Sequence, residues 1–582
     1  TWPWIITISK EVAMTNSHVE YLKVLYGAIL QDCTIRYPDC RRGFGRDQNR
    51  LFSLVESRGI SVFTLDLPAI GKCLDQGLAS GCLDTLGLPL SRAAKRTRKI
   101  PRLFEGLYAR IFDYNGCLKT QPDPQAILLL RTLLYAGKKW KMDCGKSKTC
   151  KSVYDFFQVD FGVRAPTLDW VDPDFDARAA LELSLCDDSS LPLFRMRGVR
   201  HDDGSEENFD AHCYDLQLVA DIVATELGQF DARSAVYRHG PGAVADQLRG
   251  ENKYLFPHWS ARLERAFPLA DVAFCNYGLW ADAIRNPDVP YGLSPEEHYS
   301  VLIAVPKTQK GPRLIAKEPI SNQWCQQGIL EFLVRNSSST PLGPCLSFDS
   351  QAPSRMGALK ASYTKSHATI DLSSASDRVS CWLVERVFRK NPSLLDALQA
   401  CRTGFILNKL DKKSPLLHKL RKFSTQGSAI TFPLQSYLYA MISVVCVIRS
   451  RGWRVDSSSI RRAAEEVQVF GDDMIVPEYC CGAVMGLLGH LGFKVNHDKS
   501  FWTGEFRESC GMDAFRGHDV TPAYITQSPS EDRPESMIAS VEIAKNFFRK
   551  KLFSVAQAIE KTARRIPIMR LVPCGPVDSG AL

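Results

Sequence analysis

The feature that most constrains this chain is a short apolar segment in which a glycine and two adjacent acids interrupt the pattern. Residues 467–476 read Val-Gln-Val-Phe-Gly-Asp-Asp-Met-Ile-Val, and Gly471 tolerates the positive φ that a tight turn needs. The pattern predicts a β-hairpin with Asp472 and Asp473 at its tip, and Pro477 is expected to end its second strand. Because neighbouring strand residues face opposite sides, we expect the second acid to be more peripheral than the first.

A third acid lies at the end of an earlier predicted strand. The segment His367-Ala-Thr-Ile-Asp371 is typical of a short strand that enters a loop. Three unpaired buried carboxylates would repel one another, and divalent cations are the usual remedy. We therefore predict a two-metal nucleotidyl-transfer site in which Asp371, Asp472 and Asp473 are the metal ligands and catalytic acids. The alternative is structural, since Gly-Asp-Asp is also a good turn sequence.

The segment after Asp371 offers a further acid with two open interpretations. Leu372-Ser-Ser-Ala-Ser-Asp377 precedes apolar residues at near-helical spacing. Asp377 suits the N-cap of that helix, and it equally suits a contact to the sugar of an incoming nucleotide.

A loop of small residues, 423–436, lies between the strand acid and the hairpin. Gly427 allows close backbone approach, and the hydroxyls of Ser428 and Thr431 could contact a ribose 2′-OH, which distinguishes RNA from DNA. The loop is expected to run into a helix that begins near Pro433. An ordinary helix cap is the alternative for the whole segment.

A basic segment, Val305–Pro319, precedes all of these. It contains a short apolar strand, Leu314–Ala316, and its cations are spaced by turn residues so that they could converge on a triphosphate. A solvated charged face is the alternative. The cations in question are Lys307, Lys310, Arg313 and Lys317.

The order and the residue sequences of these segments resemble those of the catalytic (beta) subunit of the RNA-directed RNA polymerase of small positive-strand RNA bacteriophages, the Qβ-like leviviruses. The resemblance covers roughly residues 300–525. His239-Gly-Pro-Gly242 matches a further family element to which we assign no role. The matching segments are Val305–Pro319, Asp371–Asp377, Gln426–Phe432, Phe470–Asp473, Gly492–Asn496, Phe506–Gly511 and Gly517–Pro522, of which Phe506–Gly511 is the most family-specific.

The resemblance implies copying of RNA by two magnesium ions about 3.5–4 Å apart, with manganese as a possible substitute. The three aspartates would hold the ions, and the cations of the basic segment would neutralise the triphosphate. Lys499 is a candidate proton donor to pyrophosphate, and a solvated lysine at a strand end is its alternative. Two departures from the family are conservative: Phe470 replaces a more frequent Tyr whose ring packs, and Ser428 replaces a frequent Asn.

The fold that the resemblance implies is an α+β right-hand polymerase with fingers, palm and thumb, and with an antiparallel palm sheet flanked by helices. Helical periodicity is expected at Glu20–Leu30, Pro124–Leu134 and Asp215–Leu227. The implied regions are an N-terminal region with part of the fingers (1–300), fingers with the basic strand and loop (301–356), a palm (357–505, with a fingers insertion near 385–422) and a thumb-like C-terminal region (506–582).

Composition is compatible with this interpretation. The chain has 582 residues and a net charge of +9, from 73 Lys and Arg against 64 Asp and Glu, which permits RNA binding without requiring it. Basic clusters at Arg92–Lys99, Lys138–Lys151 (around Trp140) and Lys545–Arg565 (with Phe547, Phe548 and Phe553) could line a template path, or could be exposed helix faces. The 19 cysteines form no Cys-x-x-Cys pair, so we expect reduced thiols and no zinc site.

No targeting segment or membrane span is predicted, because the uncharged stretch 428–448 contains Pro433 and several polar residues typical of a buried helix. The chain begins with Thr1, and the residues before Met14 are hypothesised to be a translated leader or a fragment boundary. We expect the cytoplasm of the infected bacterial host as the location. RNA, nucleoside triphosphates and, by resemblance, host elongation factors Tu and Ts and a ribosomal RNA-binding protein are the expected partners. A reverse transcriptase-like polymerase and a non-catalytic RNA-binding assembly protein are the alternatives.

Overall fold

The computed structural model describes most of the chain and shows a mixed α and β protein. The described residues are 3–93, 98–142, 144–182, 193, 199–200, 206–207, 209–254, 256–274, 277–285, 293–294 and 296–566. Their helices are α1 (Pro3–Arg36), α2 (Arg41–Arg58), α3 (Leu67–Ser80), α4 (Glu105–Ile111), α5 (Pro124–Tyr135), α6 (Lys146–Gly162), α7 (Ala177–Glu182), α8 (Asp210–Glu226), α9 (Ala261–Ala266), α10 (Leu269–Val272), α11 (Tyr277–Arg285), α12 (Ile320–Arg335), α13 (Ala352–Thr364), α14 (Cys381–Val387), α15 (Pro392–Cys401), α16 (Thr431–Arg451), α17 (Ser457–Ala464), α18 (Cys481–His490), α19 (Pro534–Arg549) and α20 (Phe553–Ala563).

The strands are short and lie in several small sheets. They are β1 (Val199–Arg200), β2 (Glu206–Glu207), β3 (Trp259–Ser260), β4 (Leu293–Ser294), β5 (Tyr299–Thr308), β6 (Gly311–Lys317), β7 (His367–Ile370), β8 (Phe405–Leu407), β9 (Leu417–Lys419), β10 (Gln468–Phe470), β11 (Asp473–Pro477), β12 (Phe506–Ser509), β13 (Met512–Phe515) and β14 (His518–Asp519). The three predicted helical segments are confirmed in α1, α5 and α8, except that Leu227 lies one residue past the end of α8.

The predicted hairpin and the strand before Asp371 form one antiparallel sheet in the order β10-β11-β7. Gly471 has φ of +63° at the turn, and Phe470 pairs with Asp473, so the hairpin prediction is confirmed. Ile370 pairs with Met474 across β7 and β11. This register brings the end of β7 beside the hairpin turn, although about a hundred residues of sequence separate them.

The long helix α16 supports this sheet from below. The hydroxyl of Ser436 accepts a hydrogen bond from the Gly471 backbone N–H at 3.0 Å, and the Ser443 hydroxyl contacts the Met474 sulfur at 3.9 Å. Among the described helices, α16 alone is long and apolar enough to cross a membrane, but 94% of its most apolar window is buried inside the protein. The prediction of a buried core helix is therefore confirmed, with its start at Thr431 rather than Pro433.

The basic segment forms the β5–β6 hairpin, so the predicted strand Leu314–Ala316 is confirmed as part of β6. The sheet continues through β8 and β9 in the order β6-β5-β8-β9. Residues 405–419, which fall within the predicted insertion near 385–422, thus extend the sheet of the basic hairpin.

Two large hydrophobic cores and two smaller clusters organise the described residues. One large core combines buried residues between 170 and 273 with those between 320 and 493. The other large core combines residues between 22 and 140 with residues between 501 and 559. Residues 1–300, treated above as one N-terminal region, therefore divide between the two cores, and their first part packs with the C-terminal region.

Two local expectations are wrong. Asp377 is not an N-cap: it lies in a single 3₁₀ turn, and the cap of α14 is Ser380, whose side chain accepts a hydrogen bond from the Leu383 N–H. Trp140 is only 1% exposed because it packs against the rings of His18 and Tyr21, so it cannot stack on a template base.

The other aromatic residues of the basic clusters divide between core and surface. Phe547 is fully buried, whereas Phe548 and Phe553 are exposed and pack edge to face with each other. Residues 94–97 of the first basic cluster and everything after residue 566 lie outside the described part of the chain. No disulfide links the cysteines of the described part, and the expectation of reduced thiols stays a prediction.

Candidate active site

A polar cavity of about 560 Å³ lies where the hairpin turn, the end of β7 and the basic hairpin meet. Its lining combines the acids at the end of β7 and at the hairpin turn with cations of the basic hairpin, and Lys499 lies beside the acids. The charged residues that line it are Lys307, Arg313, Asp371, Asp472 and Lys499. The order of elements predicted from the sequence therefore does bring distant acids and cations to one place.

Asp371 is held in position by the segment that follows Gly492. The Asn496 side chain donates a hydrogen bond to Asp371 Oδ2 at 2.7 Å, and the Asn496 backbone N–H donates to the Asp371 carbonyl at 2.9 Å. The Asp371 N–H donates to the Ser500 hydroxyl at 3.1 Å. The carboxylate is thus oriented, with one of its two oxygens engaged.

Asp472 lies at the hairpin turn and lines the same cavity. Burial, followed by the nearby Asp371 carboxylate, raises the pKa of Asp472 above its usual value. A pair of repelling carboxylates in a partly buried cavity is the arrangement that a divalent cation stabilises.

Asp473 is placed differently, as the alternation of a strand predicts. It begins β11, does not line the cavity, and accepts a weak hydrogen bond from the Cys510 thiol at 3.5 Å. Burial, with the charges of Asp472 and Asp371, raises the pKa of Asp473 to about 6. The charges of the other two acids therefore raise the pKa of Asp473, although its side chain does not line the cavity.

The arrangement of the carboxylates suits a magnesium ion that takes only some of its ligands from the protein, and it does not form a complete cage of protein ligands. Within the part of the chain that the structure describes, no group of three acid, histidine or cysteine side chains is close enough to hold an ion. Magnesium is commonly bound through one or two carboxylates, with water and substrate phosphates as its other ligands. Two acids on one cavity wall, open towards a cationic wall, suit that mode of binding.

The register of the basic hairpin selects which cations reach the cavity. Lys307 and Arg313 line it, whereas Lys310 lies at the β5–β6 turn and Lys317 pairs with Val301 at the far end of β6. Desolvation and the neighbouring charges of Arg313 and Lys499 lower the pKa of Lys307. The structure thus brings two of the four predicted cations together at this site.

Lys499 lies between the Asp371 carboxylate, which lines the cavity, and the Glu508 carboxylate, which does not. Its ammonium lies 3.7 Å from Asp371 Oδ2 and 3.7 Å from Glu508 Oε1. Burial opposes its charge, but Glu508 and the aspartates outweigh burial and raise the pKa of Lys499. Lys499 is therefore a charged, partly exposed side chain that pairs with two carboxylates.

The loop at Gly427 approaches β6 closely. Gly427 has φ of +140°, and a Cβ there would overlap the Ala316 carbonyl oxygen. Gln426 accepts a hydrogen bond from the Ala316 N–H at 2.8 Å. The predicted close approach is real, and the partner is the basic hairpin.

The two predicted hydroxyls differ in availability. Ser428 Oγ is buried and has no hydrogen-bond partner among the described residues, although the residue lines the cavity. Thr431 also lines it, but its hydroxyl already bonds the Ser424 hydroxyl at 2.8 Å and the Thr425 carbonyl at 2.9 Å. Ser428 is thus the better candidate to contact a ligand.

The sequence reasoning missed several side chains at or near the cavity. Ser376 and Gln435 line it, and Ser376 Oγ and Gln435 Oε1 are buried without hydrogen-bond partners in the described part of the chain. Lys422 is fully buried and donates to Asp377 Oδ1 at 3.0 Å. Ser376 and Asn496 lay within segments that carried the family resemblance, but no signal in the sequence indicated Gln435 or Lys422.

The fold and this cavity define the class of the chain: an α+β protein in which an acidic hairpin faces a basic hairpin. Residues 292–540 match the model of the family described as RNA replicase, beta-chain. The RNA-directed RNA polymerase beta chain of Enterobacteria phage GA is 33% identical over 237 residues, covering 41% of this chain and 40% of that protein.

Two Qbeta proteins match over longer stretches. The RNA-directed RNA polymerase subunit beta of Qbeta virus (strain MX1) is 26% identical over 65% of this chain and 59% of its own length. That of Escherichia virus Qbeta is 29% identical over 60% of this chain and 54% of its own length. Residues 292–540 therefore match the RNA replicase beta-chain family, in agreement with the resemblance, while the chain spans about 40–59% of the length of these relatives.

Proposed function

We propose that this chain is the catalytic beta subunit of an RNA-directed RNA polymerase that copies a positive-strand RNA phage genome. The right-hand arrangement of fingers, palm and thumb is part of this proposal. The observation that carries it is the cavity in which Asp371 and Asp472, from separate strands, face Lys307 and Arg313. The names of the relatives and the family of residues 292–540 support it.

The residues have distinct proposed roles in nucleotidyl transfer. Asp371 and Asp472 would hold two magnesium ions, with Asp473 contributing from the edge. When bound, these ions stabilise the attacking 3′-oxygen and the leaving pyrophosphate. Lys307 and Arg313 orient and neutralise the triphosphate.

Proton transfer and sugar selection involve further residues. Lys499, which is tethered between Asp371 and Glu508, would donate a proton to the departing pyrophosphate. Ser428 has a buried hydroxyl free to contact the ribose 2′-OH, and Asp377, held by Lys422, is the second residue proposed to contact the sugar.

The chain is proposed to act on RNA template and product with ribonucleoside triphosphates, in the cytoplasm of an infected bacterium. Elongation factors Tu and Ts and a ribosomal RNA-binding protein are proposed as host partners. A reverse transcriptase would share the acids, but the unpartnered Ser428 hydroxyl on the cavity lining favours ribonucleotides, because it can contact a ribose 2′-OH. A non-catalytic RNA-binding protein would have no use for paired acids opposite a cationic wall.

The test is RNA synthesis by the chain purified from bacterial cells with whatever host proteins accompany it. With single-stranded RNA, Mg²⁺ and the four ribonucleoside triphosphates, we expect labelled complementary RNA, which chelation of the metal abolishes. Asp472→Asn should lower incorporation on the order of a thousand-fold, while Asp155→Asn, at an exposed acid on α6, should leave it unchanged. Incorporation by Asp472→Asn at the rate of the unmodified chain, or preferential use of deoxynucleotides, would contradict the proposal.

A further inference from the structure

A second cavity, separate from the acidic one, surrounds the His239-Gly-Pro-Gly242 motif. It has a volume of about 550 Å³, large enough for one nucleotide. Its wall includes His239, Gly240, Gly242, Arg249, Lys253 and Tyr254. None of these residues has a role in the proposed nucleotidyl transfer.

Neither the backbone conformation nor the packing of the protein requires glycine at Gly240 or Gly242. Neither has a positive φ, and a Cβ on either would meet no atom within 4 Å. By contrast, Gly427 has φ of +140° and is crowded by Ala316. A glycine that neither backbone conformation nor packing requires is suited to the close approach of a ligand to the backbone.

The motif is held in shape by a buried cation. Lys253 is 7% exposed, and its ammonium donates hydrogen bonds to the Gly240 carbonyl at 2.8 Å and to the Gly242 carbonyl. Burying an ammonium is costly, so its use to fix the carbonyls of an exposed loop indicates that the shape of the loop matters. The loop is therefore preorganised.

Aromatic rings form another wall of this cavity. His239 packs with its ring centroid 4.8 Å from Trp324 and 5.2 Å from Tyr254, and burial lowers the pKa of His239 to about 4, so the ring is neutral at physiological pH. Tyr254 remains 46% exposed. A neutral aromatic wall with an accessible tyrosine is a stacking surface for a base.

The cavity also presents a positive charge for a phosphate. Arg249 is exposed, and among the described residues it has no ion-pair partner. An arginine beside an aromatic wall and an open glycine backbone matches the two halves of a nucleotide, the phosphate and the base.

The same framework supports this cavity and the active site. The Ala245 N–H donates to the Glu318 carbonyl, directly after β6, at 2.9 Å. Trp324 and Gln326 both lie on α12, and Gln326 Oε1 accepts from the Ala429 N–H, in the loop of Gly427, at 3.2 Å. A ligand in the second cavity would thus contact elements that are hydrogen-bonded to the basic hairpin and to the loop of Gly427.

We propose that this cavity binds one nucleotide unit of a single-stranded RNA, with its base on Tyr254 and its phosphate at Arg249 and the glycine backbone. The proposal deepens the proposed function, on which it rests, by giving the RNA strand a contact outside the catalytic cavity. A free nucleoside triphosphate carries the same chemistry, and competition separates the two sources.

The test is the affinity of the full chain for a fluorescent single-stranded RNA of about twelve nucleotides, measured by anisotropy without metal or triphosphates. Tyr254→Ala and Arg249→Gln should each weaken binding about five-fold or more, whereas Tyr154→Ala and Arg454→Gln, at exposed positions elsewhere, should change it less than about two-fold. Unchanged affinity in both cavity variants would overturn the proposal.

The glycines give a version of the test that does not disturb folding. Gly242→Ala should leave the melting temperature unchanged yet weaken RNA binding about three-fold or more, while Gly43→Ala, an equally open glycine on α2, should leave binding unchanged. Equal affinity of Gly242→Ala and the unmodified chain would count against the cavity as a ligand site. An excess of GTP should not displace the RNA, and displacement that depends on Tyr254 would reassign the cavity to free nucleotides and overturn the RNA proposal.

Failure of this inference differs from failure of the proposed function. If the chain synthesises RNA but the cavity variants bind RNA normally, only the inference falls. If the chain binds RNA through Tyr254 but incorporates no nucleotide, only the proposed function falls.

Discussion

The two walls of the active-site cavity are built in different ways. The acidic wall is formed by buried strands, where the pairing of Ile370 with Met474 places Asp371 beside the hairpin turn. The basic wall is an exposed hairpin whose register shifts between Val305 and Thr308. Burial and strand register together fix the positions of the acids. The positions of the cations depend on the register shift within the β5–β6 hairpin. Acid positions could therefore be predicted from sequence, and cation positions could not.

The largest effect is expected on the acidic wall, because its two aspartates act on the same ions. Asp371→Asn and Asp472→Asn should each lower nucleotide incorporation on the order of a thousand-fold, and the double variant should be no worse than either single variant. Incorporation rates and RNA affinity should be measured together. Multiplicative losses would mean that the two acids act independently.

The basic wall should show a smaller effect that depends on position. Arg313→Gln is expected to raise the KM for nucleoside triphosphates about ten-fold or more, because Arg313 lines the cavity. Lys317→Gln removes a cation from the same strand but outside the cavity, and should change the KM less than about two-fold. Equal effects would show that net charge matters and register does not.

Lys422 links Asp377, the residue proposed to contact the nucleotide sugar, to the buried ring of Phe156. Its buried ammonium donates to Asp377 at 3.0 Å and lies 3.4 Å from the centre of the Phe156 ring. If Lys422 positions Asp377 for sugar recognition, Lys422→Met and Asp377→Ala should each reduce the preference for ribonucleotides over deoxynucleotides about ten-fold. The double variant should lose no more preference than either single variant, which loss of folded protein alone would not produce. An unchanged preference in Lys422→Met would leave this lysine a purely structural role.

The smallest effect concerns stability and pH. The pKa of Asp473 rises from 3.8 to about 6 on folding, so the folded state binds more protons than the unfolded state between these values. The free energy of unfolding should therefore fall as pH increases through this window, by about 3 kcal/mol from this residue.

Melting temperatures of the metal-free chain at about pH 4.5 and about pH 7 test this expectation. Asp473→Asn should reduce the fall in stability between them, and Asp155→Asn should leave it intact. A fall that is identical in Asp473→Asn and the unmodified chain would show that Asp473 does not titrate abnormally.

The sequence was sufficient for features set by local pattern. The hairpin at Gly471, the strand before Asp371 and the buried helix α16 follow from alternation, turn chemistry and apolar length. It was insufficient where long-range packing decides. The burial of Trp140, the pairing of Lys422 with a carboxylate 45 residues away, and the shared core of the N- and C-terminal regions depend on contacts that no local pattern encodes.

The central claim is that Asp371 and Asp472 jointly bind the catalytic metal, and iron-directed cleavage tests it most directly. Fe²⁺ in place of Mg²⁺, with ascorbate and peroxide, generates hydroxyl radicals that cut the backbone near the bound ion. We predict cuts close to both residue 371 and residue 472, suppressed by excess Mg²⁺ and absent in Asp371→Asn. Cuts confined to other segments, or cuts at residue 472 that persist unchanged in Asp371→Asn, would contradict the account.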